Sequence, residues 1–196
     1  MAEVLDTATA RRPQIIEAAT GIFLRYGYER TTMADIAKAS GVSRPTLYSS
    51  FSDKERIYRA VLETMAAEKL AELQQGLAVH EDLEGRLHYA CETWTIQGYE
   101  LVRGNPDAKD LFDLAIPVVR ETHAAFEEFL TGLLAGTVRV SAHSATPRET
   151  ARMINAALKG FKDLASDADE LRGMIRGLTG AVTAALAAKT RRPGHA

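Results

Sequence analysis

The residues with the clearest chemical purpose lie in the stretch SGVSRPTLYSSF, between Ser40 and Phe51. An arginine, a proline, several hydroxyl groups and a tyrosine stand where a helix that only filled a core would carry apolar side chains. A guanidinium can donate two parallel hydrogen bonds to the edge of guanine, and hydroxyl groups can donate to phosphate oxygens. These residue types therefore predict a surface that contacts a nucleic acid, provided that a helix presents them to the outside.

Two short helices are predicted to present these residues. The first begins after Thr32, a good N-cap, and ends at Gly41. The second begins at Ser43 as its N-cap and places Pro45 in the first turn, where the missing N–H costs no hydrogen bond. A tight turn between two short helices predicts a helix-turn-helix, whose second helix enters the major groove of DNA.

The second of these helices has two distinct faces. Leu47 and Phe51 share the buried side, and Val42 forms a hydrophobic staple with Leu47. Among the outward residues, we expect Arg44 to contact guanine, and Pro45 and the Thr46 methyl group to contact a thymine methyl. We expect Tyr48 and Thr32 to contact phosphate, with Ser43 and Ser49 beside them, and Lys54 to contact the flanking DNA backbone. Alternatively, Ser43 and Ser52 only cap helices, and Tyr48 is a half-buried aromatic.

Beyond the helix-turn-helix the pattern stays helical. The first helix has Pro13 in its first turn, and the fourth starts with a capping box of Ser52 and Glu55 and runs to about Val79. Five more helices are predicted at about 82–103, 106–116, 118–135, 147–165 and 167–189, with a loop at 137–147. The predicted fold class is therefore all-α, with a three-helix DNA-binding domain at 1–60 and a helical ligand-binding and dimerisation domain at 61–196.

Composition limits the class of protein. The chain has 196 residues, 46% hydrophobic and 26% charged, which is typical of a globular protein with a core. Residues 11–59 carry nine basic and five acidic residues, whereas residues 60–196 carry fifteen and nineteen, so the front part is better suited to a polyanion. The single cysteine and the lack of a long apolar run or apolar leader predict a cytoplasmic protein without a disulfide or a membrane span.

The stretch TTMADIAKASGVSRPTLYSSFSDKERIYRAVL resembles the DNA-binding region of the tetracycline-repressor (TetR/AcrR) family of bacterial regulators. The residues that carry the resemblance are Thr31, Thr32, Ile36, Ala37, Gly41, Val42, Ser43, Thr46, Leu47, Tyr48, Phe51 and Lys54. The resemblance covers about Ile15 to Leu62. It implies a homodimer that binds a short palindromic operator in double-stranded DNA and usually represses transcription.

By motif position, the resemblance assigns DNA contacts to specific residues: Thr32, Ser43, Thr46, Tyr48 and Lys54, with Arg44 and Pro45 as base readers. One departure lies at Ser49 and Ser50, where many members of the family carry aromatic or histidine residues. Sequence preference and affinity therefore do not carry over from the family to this chain.

The last two helices are predicted to form the dimer interface. Gly173, Gly177 and Gly180 lie inside a helical pattern, and each costs about 1 kcal/mol relative to alanine. With Ala181, Ala184, Ala185 and Ala188 they form a flat side that lets another helix approach closely, either within the chain or from a second copy. The resemblance favours the second copy, with 147–165 and 167–189 pairing with their counterparts.

The middle helices hold the candidates for an effector site: His88, Cys91, Trp94, Thr95, Tyr99, Phe112, His123, Phe126 and Met153. An apolar cavity with a few polar groups is the usual small-molecule site, and the resemblance places the family's effectors there. Helix geometry prevents His88, Cys91, Trp94 and Thr95 from all facing one cavity. Trp94 and Phe112 are more often part of a plain core than ligand contacts. His88 and Cys91 supply only two metal ligands, so neither a metal nor a cofactor is expected.

Catalytic motifs are lacking: the sequence has no G-x-S-x-G elbow, Walker loop, dinucleotide fingerprint or H-E-x-x-H helix. We therefore expect a ligand-responsive regulator of transcription, a repressor and not an enzyme, with a small-molecule effector of unknown identity. Two alternatives are a helical ligand-binding protein or enzyme whose helix-turn-helix is structural, and a protein-interaction module that uses the Arg44 face.

Overall fold

The computed structural model describes residues 2–113, 115–136 and 145–190, and within those ranges the fold is all-α, as predicted, without a β-strand. The helices are α1 (Ala2–Tyr26), α2 (Met33–Ser40), α3 (Arg44–Ser50), α4 (Lys54–Gly76), α5 (Leu83–Gly104), α6 (Pro117–Ala135), α7 (Pro147–Leu164) and α8 (Ala168–Thr190). Two 3-10 segments lie at Leu77–Val79 and Pro106–Phe112. None of the helices in these ranges combines the length and apolarity that a bilayer span requires.

Several predicted helix starts are confirmed. Thr32, Ser43 and Thr146 are N-caps whose side chains each accept a backbone N–H from the first turn of α2, α3 and α7. A side-chain acceptor at this position satisfies an amide that has no partner inside the helix. The local pattern of hydroxyl residues therefore located the ends of the helices on which the predicted DNA contacts depend.

Three predicted local features are wrong. Pro13 lies inside α1, because the good helix formers before it extend that helix to Ala2. The carboxylate of Asp53, not the hydroxyl of Ser52, accepts an N–H at the start of α4, since a carboxylate is the stronger acceptor at the positive end of a helix. The segment predicted as a helix at 106–116 is the 3-10 segment Pro106–Phe112. Residues 137–144 of the predicted loop lie outside the described ranges.

The helices form two compact units, each drawn from separate parts of the chain. The first unit runs to Ala67 and includes Leu101–Thr122, and the second comprises Glu68–Glu100 and the chain from His123 onward. Helices α4, α5 and α6 therefore contribute residues to both units. The division into functional domains at residue 60 stays a prediction.

The first unit is built around an apolar core that joins α1, α2, α3 and α4. Its fully buried side chains include Phe23, Ile36, Leu47 and Tyr58. The ring of Tyr58 packs edge-on to Phe23 with the centroids 5.7 Å apart, and its hydroxyl donates to the carbonyl of Leu111 at 2.9 Å. The 3-10 segment thus completes the core of helices that lie far earlier in the chain.

The turn between α1 and α2 is held by charged side chains. Gly27 adopts the left-handed region with φ 80°. The carboxylate of Asp110 accepts the N–H groups of Tyr28 at 3.1 Å and Glu29 at 2.8 Å, and Lys54 Nζ donates to the carbonyl of Tyr28 at 2.8 Å. Two N–H groups and one carbonyl of this turn therefore form hydrogen bonds with side chains that are distant in sequence. These bonds fix the start of α2.

The second unit has a separate core formed by α5, α6, α7 and α8 with the end of α4. Its fully buried side chains include Leu87, Phe126, Ile154 and Leu171. On the surface of this unit, Arg172 of α8 forms ion pairs with Glu92 and Glu100 of α5, at 3.3 and 3.2 Å. These partly exposed pairs are screened by solvent and add little stability by themselves, so burial of apolar surface provides most of the stability of the unit.

We expect Gly27→Ala to destabilise the protein more than Gly41→Ala. Both glycines have positive φ, 80° and 67°, a conformation that costs alanine about 1–2 kcal/mol. A Cβ at position 27 would also clash with the carbonyl oxygen of Asp107, whereas a Cβ at position 41 meets nothing within 4 Å. Urea unfolding should therefore give the larger loss for Gly27→Ala. Equal losses would contradict the close packing of the turn.

The control is Gly21→Ala. Gly21 is an exposed helical residue of α1 whose added Cβ meets nothing within 4 Å. Because alanine is the better helix former, this variant should gain up to about 1 kcal/mol of unfolding free energy.

Candidate nucleic-acid interface

Gly41 ends α2 in a conformation that lets α3 begin at once. Its φ of 67° is left-handed, and its N–H donates to the carbonyl of Lys38 at 3.3 Å. The N–H of Val42 donates to the carbonyl of Ala37 at 3.2 Å. This C-cap satisfies the last carbonyls of α2 and leads directly to the N-cap of α3, which is the tight turn that a helix-turn-helix requires.

The hydroxyl groups of Ser43 and Thr46 organise the first turn of α3. The N–H of Thr46 donates to Ser43 Oγ at 3.3 Å, and the two hydroxyl oxygens lie 2.8 Å apart. Ser49 Oγ donates to the carbonyl of Thr46 at 2.8 Å. Each of these predicted DNA contacts therefore already has a hydrogen bond that orders a helix of 7 residues, too short to be stable alone.

The outward face of α3 is as predicted. Leu47 and Phe51 are 0% and 2% exposed, whereas Tyr48 is 53% exposed, so Tyr48 is not the half-buried aromatic of the alternative interpretation. Arg44 and Pro45 are also exposed. Within the described part of the chain the guanidinium of Arg44 has no hydrogen bond or ion pair, which leaves its donors available to another molecule. Contact of this face with DNA stays a prediction.

Thr32 and Lys54 each have structural partners, and only those of Lys54 were not indicated by the sequence. Thr32 forms a full capping box with Asp35, whose pKa is held below its usual value by hydrogen bonds from the Thr32 hydroxyl and N–H. Lys54 Nζ donates to the carbonyls of Tyr28 and Glu29 and lies 4.2 Å from the centroid of the Tyr28 ring. An ammonium group has three donors, so Lys54 keeps at most one for a phosphate.

Two residues of α1 hold the ends of the short helices. Arg12 donates to the carbonyl of Ser50 at 2.6 Å and lies 4.0 Å over the ring of Phe51, at the end of α3. Gln14 donates to the carbonyl of Ser40 at 2.9 Å, at the end of α2. Sequence reasoning missed both residues, because each acts on a carbonyl at least 26 residues away and nothing in the local pattern marks such a contact.

Three of the candidates for an effector site lie together in the second unit. Trp94 stacks on Phe126 with the ring planes nearly parallel and the centroids 4.3 Å apart, and His123 lies edge-on to Trp94 at 6.4 Å. Phe112 does not join them, because it packs against the core of the first unit. Met153 does not join them either, because it is 57% exposed on α7.

The remaining candidates each have their own surroundings on α5. His88 pairs with Glu92 at 2.8 Å, and the hydroxyl of Tyr99 donates to a backbone carbonyl between α7 and α8. Burial raises the pKa of the Cys91 thiol to about 12, so this group is protonated at neutral pH and is a poor metal ligand. The buried hydroxyl oxygen of Thr95 has no hydrogen-bond partner among the described residues. The roles of these residues as ligand contacts stay predictions.

Comparison with known proteins finds matches for the part of the chain that contains α2 and α3. Residues 15–61 match the model of the family described as bacterial regulatory proteins, tetR family. The transcriptional activator FasR of Mycolicibacterium smegmatis is 36% identical over 101 residues, which are 48% of this chain and 46% of that protein. The transcriptional repressor ComR of Escherichia coli is 42% identical over 52 residues, 26% of this chain and 25% of ComR. The matched segment thus spans less than half the length of these relatives.

Solved structures with a similar fold cover nearly the whole chain. A TetR-family regulator from Rhodococcus sp. matches with a TM-score of 0.68 and 20% identity, over 88% of this chain and 98% of that one. The regulator FadR of Bacillus subtilis, solved with stearoyl-CoA, matches with a TM-score of 0.65 and 18% identity, over 85% and 96% of the two chains. At these identities the likeness shows the fold of the chain alone.

We expect Arg12→Ala to loosen α3, and Arg11→Ala to leave it unchanged. Both variants remove one positive charge from α1, but only Arg12 bonds the end of α3. A hydrogen bond from a charged group with a cation–π contact is worth about 1.5–3 kcal/mol. Amide hydrogen exchange of α3 should therefore accelerate in Arg12→Ala only. Similar exchange rates in the two variants would exclude a positioning role for Arg12.

Proposed function

We propose that this chain, whose residues 15–61 match the tetR family of bacterial regulatory proteins, binds a palindromic DNA operator as a homodimer and represses transcription until an effector binds. The observation that carries the proposal is the outward face of α3, where Arg44 and Tyr48 are exposed beside the buried Leu47. The cytoplasmic location predicted from the sequence is part of this proposal, because the operator lies there.

In the proposed complex the N-terminal half of α3 enters the major groove. Arg44 donates to guanine, and Pro45 with the Thr46 methyl group packs on a thymine methyl. Tyr48, Ser49, Ser43 and Thr32 contact the phosphates on either side, joined by the remaining donor of Lys54. Since the hydroxyl groups are ordered before DNA arrives, binding does not have to organise them.

Repression is the simpler of the two outcomes open to this chain. FasR is named an activator and ComR a repressor, so relatives of both kinds match. A repressor needs only to occupy its site, whereas an activator also needs a surface that recruits the transcription machinery. We therefore propose repression.

The dimer is proposed to form through α7 and α8. A Cβ added at Gly173 or Gly177 of α8 meets nothing within 4 Å, so these glycines are not explained by packing within the chain. Leu164 of α7 is 74% exposed, and an apolar side chain of that size is more stable when covered. A two-fold dimer also places two copies of α3 on half-sites about 34–36 Å apart, which one copy could not read.

The effector is proposed to act by shifting a population of conformations. Helices α5 and α6 contribute to the second unit, and the segment that connects them carries Asp110, which holds the turn before α2. An effector that binds the second unit better in one arrangement of α5 and α6 would thereby change the position of α2 and α3. The shift is limited by its difference in affinity for the two arrangements.

DNA recognition can be tested with duplexes selected from a random-sequence library. We expect Arg44→Ala to relax preference at one position of each half-site and to lose about 1–3 kcal/mol there. Tyr48→Phe should weaken binding to all sequences alike, and the affinity of the unmodified protein should fall steeply with salt.

The control is Arg148→Ala, which removes an equal charge from an exposed position in the first turn of α7. Equal effects of Arg44→Ala and Arg148→Ala would mean that the face of α3 does not bind DNA and serves another partner or none.

The dimer can be tested with a charge placed on α7. Leu164→Glu should convert the protein to monomers in sedimentation, because a carboxylate would be buried in the interface. Val79→Glu is the matched control, since Val79 is 78% exposed in the 3-10 segment Leu77–Val79, outside α7 and α8. If both variants stay dimeric, the interface lies elsewhere.

A further inference from the structure

The carboxyl end of α3 is held by an arginine from another helix. Arg12 of α1 donates through Nη1 to the carbonyl of Ser50, the last residue of α3, at 2.6 Å. The guanidinium carbon lies over the ring of Phe51, 4.0 Å from its centroid. Neither partner is a carboxylate, so among the described residues no ion pair neutralises the charge of Arg12.

Most hydrogen-bond donors of Arg12 remain available to another molecule. A guanidinium has five N–H groups, and within the part of the chain that the structure describes this one bonds only the carbonyl of Ser50. The residue is exposed, so the other donors face water. An arginine with such donors can bind a phosphate through two parallel hydrogen bonds.

The carboxyl end of α3 lies close to a DNA strand in the proposed complex. Helix α3 has 7 residues and is therefore about 10 Å long, less than the major-groove width of about 12 Å. When so short a helix enters the groove, its carboxyl end stays within reach of a sugar–phosphate strand. The last two residues of α3, Ser49 and Ser50, carry no charge, so a cation for this strand must come from another element.

Helix α3 by itself would repel a phosphate at this end. The carbonyl groups of its last turn point away from the helix and carry partial negative charge. Arg12 binds one of these carbonyls and places a full positive charge beside it. The same side chain therefore offsets the repulsion and supplies an attraction. Its contacts with Ser50 and Phe51 also order it before DNA arrives, which lowers the entropy lost on binding.

We propose that Arg12 contacts the DNA backbone and that one copy of it neutralises one phosphate in each half-site of the operator. This role is separate from the positioning of α3. Positioning requires the hydrogen bond to Ser50, whereas the phosphate contact uses the positive charge and the remaining donors. The proposal rests on the proposed function, because it adds a residue to the DNA interface.

The test uses the full-length protein and the duplex selected from the random-sequence library. Neutralising a phosphate releases counterions, so a log–log plot of association constant against salt concentration falls with a slope of about 0.9 per phosphate. Arg12→Gln should reduce this slope by about 0.9 per half-site, or about 1.8 for a dimer on a palindrome. A variant that only loosened α3 would bind more weakly at every salt concentration, with an unchanged slope.

The matched control is Arg25→Gln. Arg25 is also exposed on α1 and also lies over an aromatic ring, that of Tyr26, at 5.2 Å from its centroid. It lies about 20 Å further along the helix than Arg12, beyond the screening length of about 10 Å at 0.1 M salt. Arg25→Gln should therefore keep the slope of the unmodified protein. Arg12→Lys retains the charge and should keep the slope as well. Circular dichroism establishes that the three variants are folded.

A second measurement neutralises the DNA instead of the protein. Duplexes in which an uncharged methylphosphonate replaces a single phosphate are compared at each position of the half-site. At the phosphate that Arg12 contacts, the replacement should weaken binding of the unmodified protein several-fold and have no further effect in Arg12→Gln. The two changes are not additive, because each removes the same contact.

Three results would overturn the contact: an unchanged slope in Arg12→Gln, equal reductions in Arg12→Gln and Arg25→Gln, or additive effects of Arg12→Gln with every methylphosphonate. The first would leave Arg12 as a positioning residue only. A protein that binds the duplex and gives any of these results retains the proposed function and loses the contact. A protein that binds no duplex loses both.

Discussion

The two carboxylate oxygens of Asp110 accept the N–H groups of Tyr28 and Glu29, and the rest of the proposed DNA-binding face depends on this pair of bonds. Lys54 Nζ donates hydrogen bonds to the carbonyls of Tyr28 and Glu29 in the same turn. Because Asp110 and Lys54 form hydrogen bonds with its backbone groups, the turn after Gly27 is held in place, and α2 starts from this turn. Since α3 follows α2 through the tight turn at Gly41, the position of α3 is determined as well.

Helix α3 has 7 residues and cannot keep its shape by helix propensity alone. Its order comes from contacts at both ends: the Ser43 cap and its bond to Thr46 at the start, and Arg12 on the carbonyl of Ser50 at the end. Between them, Leu47 anchors the helix to the core. The side chains that remain outside are therefore presented by a rigid element, which is what direct readout of base edges requires.

Charged side chains have different partners in the two units, and this difference suits the task proposed for each unit. In the first unit, charged side chains such as Asp110 and Lys54 form hydrogen bonds with backbone groups of the turn before α2, whereas the exposed Arg44 has no partner among the described residues. In the second unit, Arg172 forms ion pairs with Glu92 and Glu100 of α5 and with Asp169 of its own helix. An unpaired cation in water attracts a polyanion at low cost, whereas a cation that lies between carboxylates contributes little to such an attraction.

The sequence by itself determined the all-α class, the helix-turn-helix with its caps at Thr32 and Ser43, and the outward face of Arg44 and Tyr48. These features follow from local rules, because a cap, a left-handed glycine and an apolar stripe act within one or two helical turns. Only the tertiary structure decided the roles of Asp110, Arg12 and Lys54, and the separation of Phe112 and Met153 from Trp94 and His123. The hydrogen bonds of Asp110, Arg12 and Lys54 join residues 25 to 82 positions apart, and no periodicity in the sequence encodes which distant backbone group a charged side chain will satisfy.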